Sequence, residues 1–306
     1  RKRGEYLELR HSLYECAVEA IAVEMAGEST ARHLSPEALL LRQIRKDLPR
    51  TQVYLGSREA AHQRATDRVV GSPEVQGLME RVLFVWALRS PASGYVQGID
   101  GILLLLLLVV LADRGACAAW RLGHEVLERL DDAQLGEVEA DCYWCLTKVL
   151  SFLHDHHTDG FPGIQRTAKR LMELIWRIDP PLGAHLSTQG VDIFDTLLRW
   201  VGCLMVRELP VASCVRLWDA LIAESAQTSG SDAGGFETLL LYFCVSFLAR
   251  FSTRLQSMDF EAITMFFKNA PTESVSEDDV DVLLGEAFVL KSLFQHSPNH
   301  LTASPE

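Results

Sequence analysis

The chain has 306 residues, of which 48% are apolar and 23% charged, so it can form a large hydrophobic core without metals or crosslinks. Its formal net charge of -12 argues against sequence-independent binding to DNA or to anionic membranes, and suits a protein partner with a basic face. The seven cysteines are odd in number and lie mostly among apolar neighbours, so we expect free thiols in a reducing compartment. The chain begins at Arg1 without a methionine or a signal-peptide pattern, and we expect it to be part of a longer protein.

The first half of the chain carries helical signals and almost no period-2 alternation. Ser72, Pro73 and Glu74 predict a helix start, and an apolar face follows until Pro91 ends the element. The apolar run 102–112 is shorter than the roughly twenty residues that span a bilayer. We therefore predict that this run is a helix buried on all sides, and that the chain has no transmembrane segment.

The second half is also predicted to be helical. The apolar stripe over 193–205 predicts one helix that stops near Pro210, where the next helix can begin. The segment 236–251 is apolar nearly all round, which is typical of a central core helix. Ser276 and Asp279 have the spacing of a capping box and predict the start of a last helix.

These elements together predict an all-α fold with many helices. We interpret residues 155–163 as the junction between two helical halves. The stretches 26–36 and 225–235 are rich in small and polar residues, which predicts surface loops.

A possible metal site is a cluster of cysteine and histidine residues. Cys142 and Cys145 have Cys-x-x-Cys spacing, and His154, His156 and His157 follow them, a set that could hold zinc. The alternative that we favour places both cysteines on a helix, with Cys145 facing the core and the histidines in the next loop, and predicts no metal. No phosphate-binding loop or nucleophile-elbow motif is present, so the chain is not predicted to bind or hydrolyse a nucleotide by itself.

Two polar stretches, 43–51 and 90–98, contain Pro or Gly and are expected to project side chains from turns. Their sequences resemble the two motifs of the TBC-domain family, whose members are Rab GTPase-activating proteins. The first motif, Ile-x-x-Asp-x-x-Arg, is filled by Ile44, Asp47 and Arg50. The second, Tyr-x-Gln, is filled by Tyr95 and Gln97 and is followed by Gly98.

Further segments resemble, in order, the subgroup typified by the yeast Golgi Gyp-type protein: 86–98, 144–148, 162–164, 199–200, 207–210, 216–219 and 297–300.

The resemblance implies one TBC domain over 1–306, with both motifs in the half 1–160 and a second helical half at 161–306 that forms a V-shaped groove with the first. It also implies that Arg50 is an arginine finger and Gln97 a glutamine finger for a GTP-bound Rab, which carries the Mg-GTP. Asp47 would hold the Arg50 guanidinium ready, and Tyr95 and Gly98 would support the second motif. No cofactor and no nucleic acid is expected.

The resemblance also implies a role in vesicle traffic and a cytoplasmic location, with peripheral association at Golgi or endosomal membranes left open. Two pairs depart from the subgroup, Gln52-Val53 and Asp100-Gly101, and both flank the motifs, which bears on the choice of Rab. An alternative is a catalytically inactive TBC scaffold that binds a Rab or another partner.

Overall fold

The computed structural model describes residues 1–26, 34–51, 60–115, 117–118, 121–153, 155–227, 234–272 and 274–295, and no strand occurs within these ranges. This confirms the predicted all-α fold. The chain divides into two compact units, Arg1–Gly160 and Phe161–Glu306. Within the described ranges, no helix is both long and apolar enough to cross a membrane.

The first unit contains eight α-helices in its described part. They are α1 (Lys2–Leu9), α2 (Cys16–Ala26), α3 (Pro36–Asp47), α4 (Ala60–Val70), α5 (Pro73–Arg89), α6 (Ile99–Gly115), α7 (Glu125–Glu128) and α8 (Asp132–Leu150). A π-helix, Arg10–Glu15, joins α1 to α2, and the 3-10 turns Leu48–Arg50 and Ser151–Leu153 follow α3 and α8.

The core of this unit is built from α5, α6 and α8. As predicted, α5 starts after Ser72, whose hydroxyl accepts a hydrogen bond from the Val75 amide, and it ends at Arg89. Helix α6 extends beyond the predicted run and most of its side chains are buried. The prediction that it is buried on all sides is wrong at one edge, because the Val109 side chain is 40% exposed.

The second unit also contains eight α-helices in its described part. They are α9 (Pro162–Ile178), α10 (Pro180–Thr188), α11 (Phe194–Trp200), α12 (Val211–Gln227), α13 (Gly235–Arg250), α14 (Ser252–Leu255), α15 (Phe260–Lys268) and α16 (Glu277–Phe294). Helix α13 is its central element, with nearly all of its side chains buried, as predicted. The predicted capping box at the start of α16 is also present.

The prediction of one helix over 193–205 is wrong, because α11 ends at Trp200. Residues 201–209 form a buried series of turns, in which Leu204 and Met205 have φ values of 50° and 62°. The Met205 amide bonds back to the Trp200 carbonyl at 2.7 Å, and the Trp218 indole donates to the Leu204 carbonyl at 3.0 Å. Apolar spacing predicted the burial of this segment correctly, but it does not distinguish a buried turn from a helix.

Several predictions fall outside the described residues. They concern the central parts of the two expected loops, the Gln52-Val53 pair, His154 and the closing motif at 297–300.

Candidate functional site

Arg50 lies at the end of the 3-10 turn that follows α3. Helix α3 is capped by the Ser35 hydroxyl, and two hydrogen bonds from the Arg45 guanidinium to the Glu80 carboxylate, at 2.8 and 2.9 Å, hold it against α5. Ile44 and Asp47 face inward, whereas Arg50 is exposed. The local structure therefore buries the first residues of the motif and presents the arginine to solvent.

The second motif occupies the connection between α5 and α6. Gly94 has a φ of 61° and Gly98 a φ of 115°, which are conformations that glycine adopts without strain. Tyr95 is half-buried and Gly98 is buried, but Gln97 between them is exposed. The Gly98 carbonyl accepts hydrogen bonds from two amides near the start of α6, those of Gly101 and Ile102. Gln97 is thus displayed immediately before a long buried helix.

A hydrogen-bonded carboxylate joins the two motifs. Asp47 is only 5% exposed, and its Oδ2 atom accepts from Gln43 Nε2 at 2.8 Å and from the Tyr95 hydroxyl at 3.2 Å. Burial raises the pKa of Tyr95, and the nearby charges of Asp100 and Asp47 raise it further. The phenol therefore remains a neutral donor, and it fastens the second motif to the end of α3.

Among the described residues, the Asp47 carboxylate bonds to Gln43 and Tyr95, and it forms no hydrogen bond or ion pair with the Arg50 side chain. Any effect of Asp47 on the guanidinium would therefore act through the Tyr95 turn. The side chains of Arg50 and Gln97 likewise make no hydrogen bond or ion pair to another described residue. Because they are exposed and bond to no described residue, both side chains can contact a partner.

Asp100 was identified from the sequence only as a departure from the subgroup. The sequence did not predict that this side chain is buried and bonds to residues next to both motifs. The side chain is 3% exposed. Its Oδ2 accepts from the Thr51 hydroxyl at 2.6 Å, and its Oδ1 accepts from the Gly98 amide at 2.7 Å. The available signal was an acid in the first turn of a helix whose next twelve residues are apolar or glycine, two residues after Gly98.

The cysteine pair lies on α8, but in the orientation opposite to the predicted one. Cys142 is buried and Cys145 exposed, because the inward face of α8 continues from Cys142 to Leu146, one turn later. Burial raises the pKa of the Cys142 thiol, which disfavours the thiolate that zinc requires. His156 and His157 are buried, and among the described residues no three potential metal ligands come together.

Comparison with solved structures places the fold among Rab-GAP domains of the TBC type. The chain is similar to the structure titled "Crystal structure of the Ypt/Rab-GAP domain of Gyp1p", with a TM-score of 0.77 and 29% identity over 96% of this chain and 81% of that one. The structure of a Chlamydomonas flagellar RabGAP TBC domain shares the fold, with a TM-score of 0.51 and 20% identity over 88% of this chain and 75% of that one.

The family profile described as "Rab-GTPase-TBC domain" matches residues 18–256, and the chain belongs to this family. GTPase-activating protein gyp1 of Schizosaccharomyces pombe is 34% identical over 98% of this chain and 52% of its own length. TBC1 domain family member 22A of Mus musculus is 35% identical over 85% of this chain and 46% of its own length. The chain thus spans about half the length of these two relatives.

Proposed function

We propose that this chain accelerates GTP hydrolysis on a Rab-family small GTPase in its GTP-bound state by supplying Arg50 and Gln97 in trans. One observation carries this proposal: both side chains are exposed on turns that a shared buried network holds, and neither bonds to another described residue. Family membership points to the partner class, since the matching profile is that of a Rab-GTPase-TBC domain.

The chemistry of the two side chains fits the reaction. Negative charge is spread over the transferring phosphoryl group in the transition state, and a guanidinium offers permanent charge with planar donors that lysine lacks. The Gln97 amide can both donate and accept, so it can orient an attacking water. The partner GTPase carries the nucleotide and the magnesium. This chain contributes the two side chains and the rigid turns that aim them.

The location of this activity belongs to the same proposal. We infer a cytoplasmic protein that regulates vesicle traffic and reaches Golgi or endosomal membranes peripherally, because the motif-bearing segments resemble the Gyp-type subgroup. Imaging of the full-length protein beside Golgi and endosomal markers tests this inference, and a steady nuclear location would contradict it.

The catalytic proposal is tested by single-turnover GTP hydrolysis on a panel of Rabs with the wild-type chain, Arg50→Ala, Arg50→Lys and Gln97→Ala. We expect the two arginine variants to lose about 10³-fold or more in rate, which is the range for an arginine finger. Gln97→Ala should lose about 10²-fold, the usual effect of a misplaced reacting group. Arg129→Ala, which removes an exposed arginine outside both motifs, should retain wild-type turnover.

The proposal fails if the chain accelerates GTP hydrolysis on no Rab, or if Arg50→Ala and Gln97→Ala both accelerate it as much as the wild type does. Binding of a GTP-locked Rab without acceleration would favour the alternative, an inactive TBC scaffold. Binding should therefore be measured for every variant, since Arg50→Ala is expected to reduce turnover much more than affinity.

A further inference from the structure

Asp100 is a buried carboxylate that touches the residue following each candidate catalytic side chain. Thr51 comes directly after Arg50, and Gly98 comes directly after Gln97. The two oxygens of Asp100 accept from the Thr51 hydroxyl at 2.6 Å and from the Gly98 amide at 2.7 Å. We propose that Asp100 is a positioning residue that fixes the separation between Arg50 and Gln97.

The Thr51 end of this contact is well defined. Thr51 is 6% exposed, and its amide closes the 3-10 turn by donating to the Leu48 carbonyl at 3.1 Å. The Thr51 hydroxyl has a single hydrogen and two possible acceptors. The Asp100 carboxylate is the nearer one, at 2.6 Å, and the Asp47 carbonyl lies at 3.3 Å. Asp100 therefore restrains the side chain next to Arg50 as well as the turn on which Arg50 lies.

The Gly98 end anchors the second motif to α6. With a φ of 115°, Gly98 adopts a backbone conformation that other residues rarely reach, and its amide points at the Asp100 carboxylate. Asp100 lies in the first turn of α6, where the helix dipole favours negative charge. Most of α6 is buried, so the carboxylate is held on a rigid element.

This contact differs from the bond between Tyr95 and Asp47 in what it joins. That bond connects the side chains of the two motifs before the catalytic positions, whereas the bonds of Asp100 to Thr51 and Gly98 connect the residues after them. Asp100 also lies close enough to Tyr95 to raise the pKa of its phenol. The two turns are therefore tied on both sides of Arg50 and Gln97. The inference rests on the proposed function, because the separation of the two side chains matters only if both act on one nucleotide.

The test compares the wild-type chain with Asp100→Ala, Asp100→Asn, Thr51→Val and the control Asp113→Ala, which removes an exposed acid from the same helix. Asp100→Ala removes both bonds. Asp100→Asn can still accept from Gly98 and can donate to the Thr51 oxygen. Thr51→Val removes the hydroxyl bond to Asp100, together with the longer contact to the Asp47 carbonyl, at nearly constant shape. Thermal unfolding of each variant establishes that it is folded before kinetics are measured.

We expect Asp100→Ala to lower the single-turnover rate at saturating chain by about 10- to 100-fold, with little change in affinity for a GTP-locked Rab. Asp100→Asn should recover most of the rate, Thr51→Val should lie between them, and Asp113→Ala should match the wild type. In an Arg50→Ala background, Asp100→Ala should cost much less, because one of the two side chains whose separation it fixes is gone. Equal losses in both backgrounds, or parallel losses of rate and affinity, would overturn the proposal.

A second measurement needs no partner. Hydrogen exchange at the Gly98 amide in the free chain should be about 10-fold faster in Asp100→Ala, because its acceptor is lost. It should remain slow in Asp100→Asn and Asp113→Ala. Unchanged exchange in Asp100→Ala would show that Asp100 does not restrain the Gly98 amide. If hydrogen exchange at Gly98 is faster in Asp100→Ala but the wild-type chain accelerates no Rab, the proposed function fails. The bonds of Asp100 to Thr51 and Gly98 are then structural contacts only.

Discussion

Asp47 and Asp100 are two buried carboxylates that are stabilised by neutral donors. The hydrogen bonds come from the Gln43 amide and the Tyr95 hydroxyl for Asp47, and from the Thr51 hydroxyl and the Gly98 amide for Asp100. A buried charge without such partners costs several kcal/mol, whereas a hydrogen bond to a charged group contributes about 1.5–3 kcal/mol. The polar network is therefore stable only when complete, and it holds the turns of the candidate site in one arrangement.

A second buried carboxylate network lies in the same unit and contains no residue of the two motifs. Glu139 is 1% exposed and accepts from the Tyr6 hydroxyl at 2.6 Å and from the Arg81 guanidinium at 2.7–3.0 Å. Burial raises the pKa of Tyr6, and the charge of Glu139 adds to the effect. The network joins α1 to α5 and α8, so it fixes the first helix of the described chain to the core.

We predict that Glu139→Gln lowers the free energy of unfolding by about 3 kcal/mol, because it leaves the partly buried Arg81 without its counter-charge. Urea unfolding followed by circular dichroism measures this change. Glu139 also forms an ion pair with Arg10, and Arg10 has a second acidic partner in Glu15, which is exposed. The matched control is therefore Glu15→Gln, which removes a partner of Arg10 at the surface. Its effect should be below about 1 kcal/mol, and equal effects of the two substitutions would contradict the prediction.

At the scale of the element, the start of α16 illustrates how a local signal determines a helix boundary. The Ser276 hydroxyl accepts from the Asp279 amide, and the Asp279 carboxylate accepts from the Ser276 amide. The Arg250 guanidinium also donates to this carboxylate at 2.7 Å. The backbone hydrogen bond from Ser276, followed by the bond from Arg250, lowers the pKa of Asp279 to about 2.

The lowered pKa predicts a pH dependence. The ionised carboxylate is favoured in the folded state, so its contribution is fully present above the unfolded pKa of 3.8 and is lost as the pH falls through about 2. Since the side chain is partly exposed, we expect the contribution to be about 1 kcal/mol at neutral pH. Asp279→Asn should therefore be less stable than the wild type at pH 7, and the difference should shrink between about pH 4 and pH 2.

Urea unfolding across this pH range measures the difference. Asp278→Asn is the matched control, because this neighbouring acid is exposed and its side chain forms no hydrogen bond or ion pair with a described residue. It should show no comparable change with pH. A wild-type advantage over Asp279→Asn that stays constant down to pH 2 would exclude the proposed role of the capping box.

The end of α11 shows a boundary that local signals do not determine. Placing Leu204 and Met205 in the left-handed region costs about 1–2 kcal/mol for each residue. Both side chains are fully buried, and burying an aliphatic side chain contributes about 1.5–3 kcal/mol. Burial of the two side chains is therefore large enough to offset the backbone cost. The turns also bring Glu208 back to the Arg199 guanidinium, at 2.6 and 2.8 Å, which ties the segment to the helix it follows.

At the scale of the whole molecule, the net charge of -12 bears on association. If the partner presents a basic face, the association rate constant should fall as salt is raised from about 0.05 to 0.5 M, because screening shortens the range of attraction. The turnover rate at saturation should change little, since it depends on close contacts. Stopped-flow binding at several ionic strengths measures the first quantity, and a rate constant that rises with salt would contradict the expected charge complementarity.

The sequence by itself determined the elements whose signals lie within one or two turns of the chain. The cap at Ser72, the apolar helix α13 and the capping box at Ser276 were predicted correctly, because a cap or an apolar face depends on neighbours in sequence. The family resemblance also followed from short ordered motifs. Their residues named Arg50 and Gln97 as candidates but did not reveal what holds them.

Only the tertiary structure decided how the candidate residues are supported. Asp100 bonds to Thr51 across 49 positions, and Tyr95 bonds to Asp47 across 48. The inward position of Cys142 and the turn after Trp200 likewise depend on which surfaces pack against these segments. A sequence pattern records which residues are polar or apolar, whereas the partner of a buried polar group is set by elements that meet only when the chain has folded.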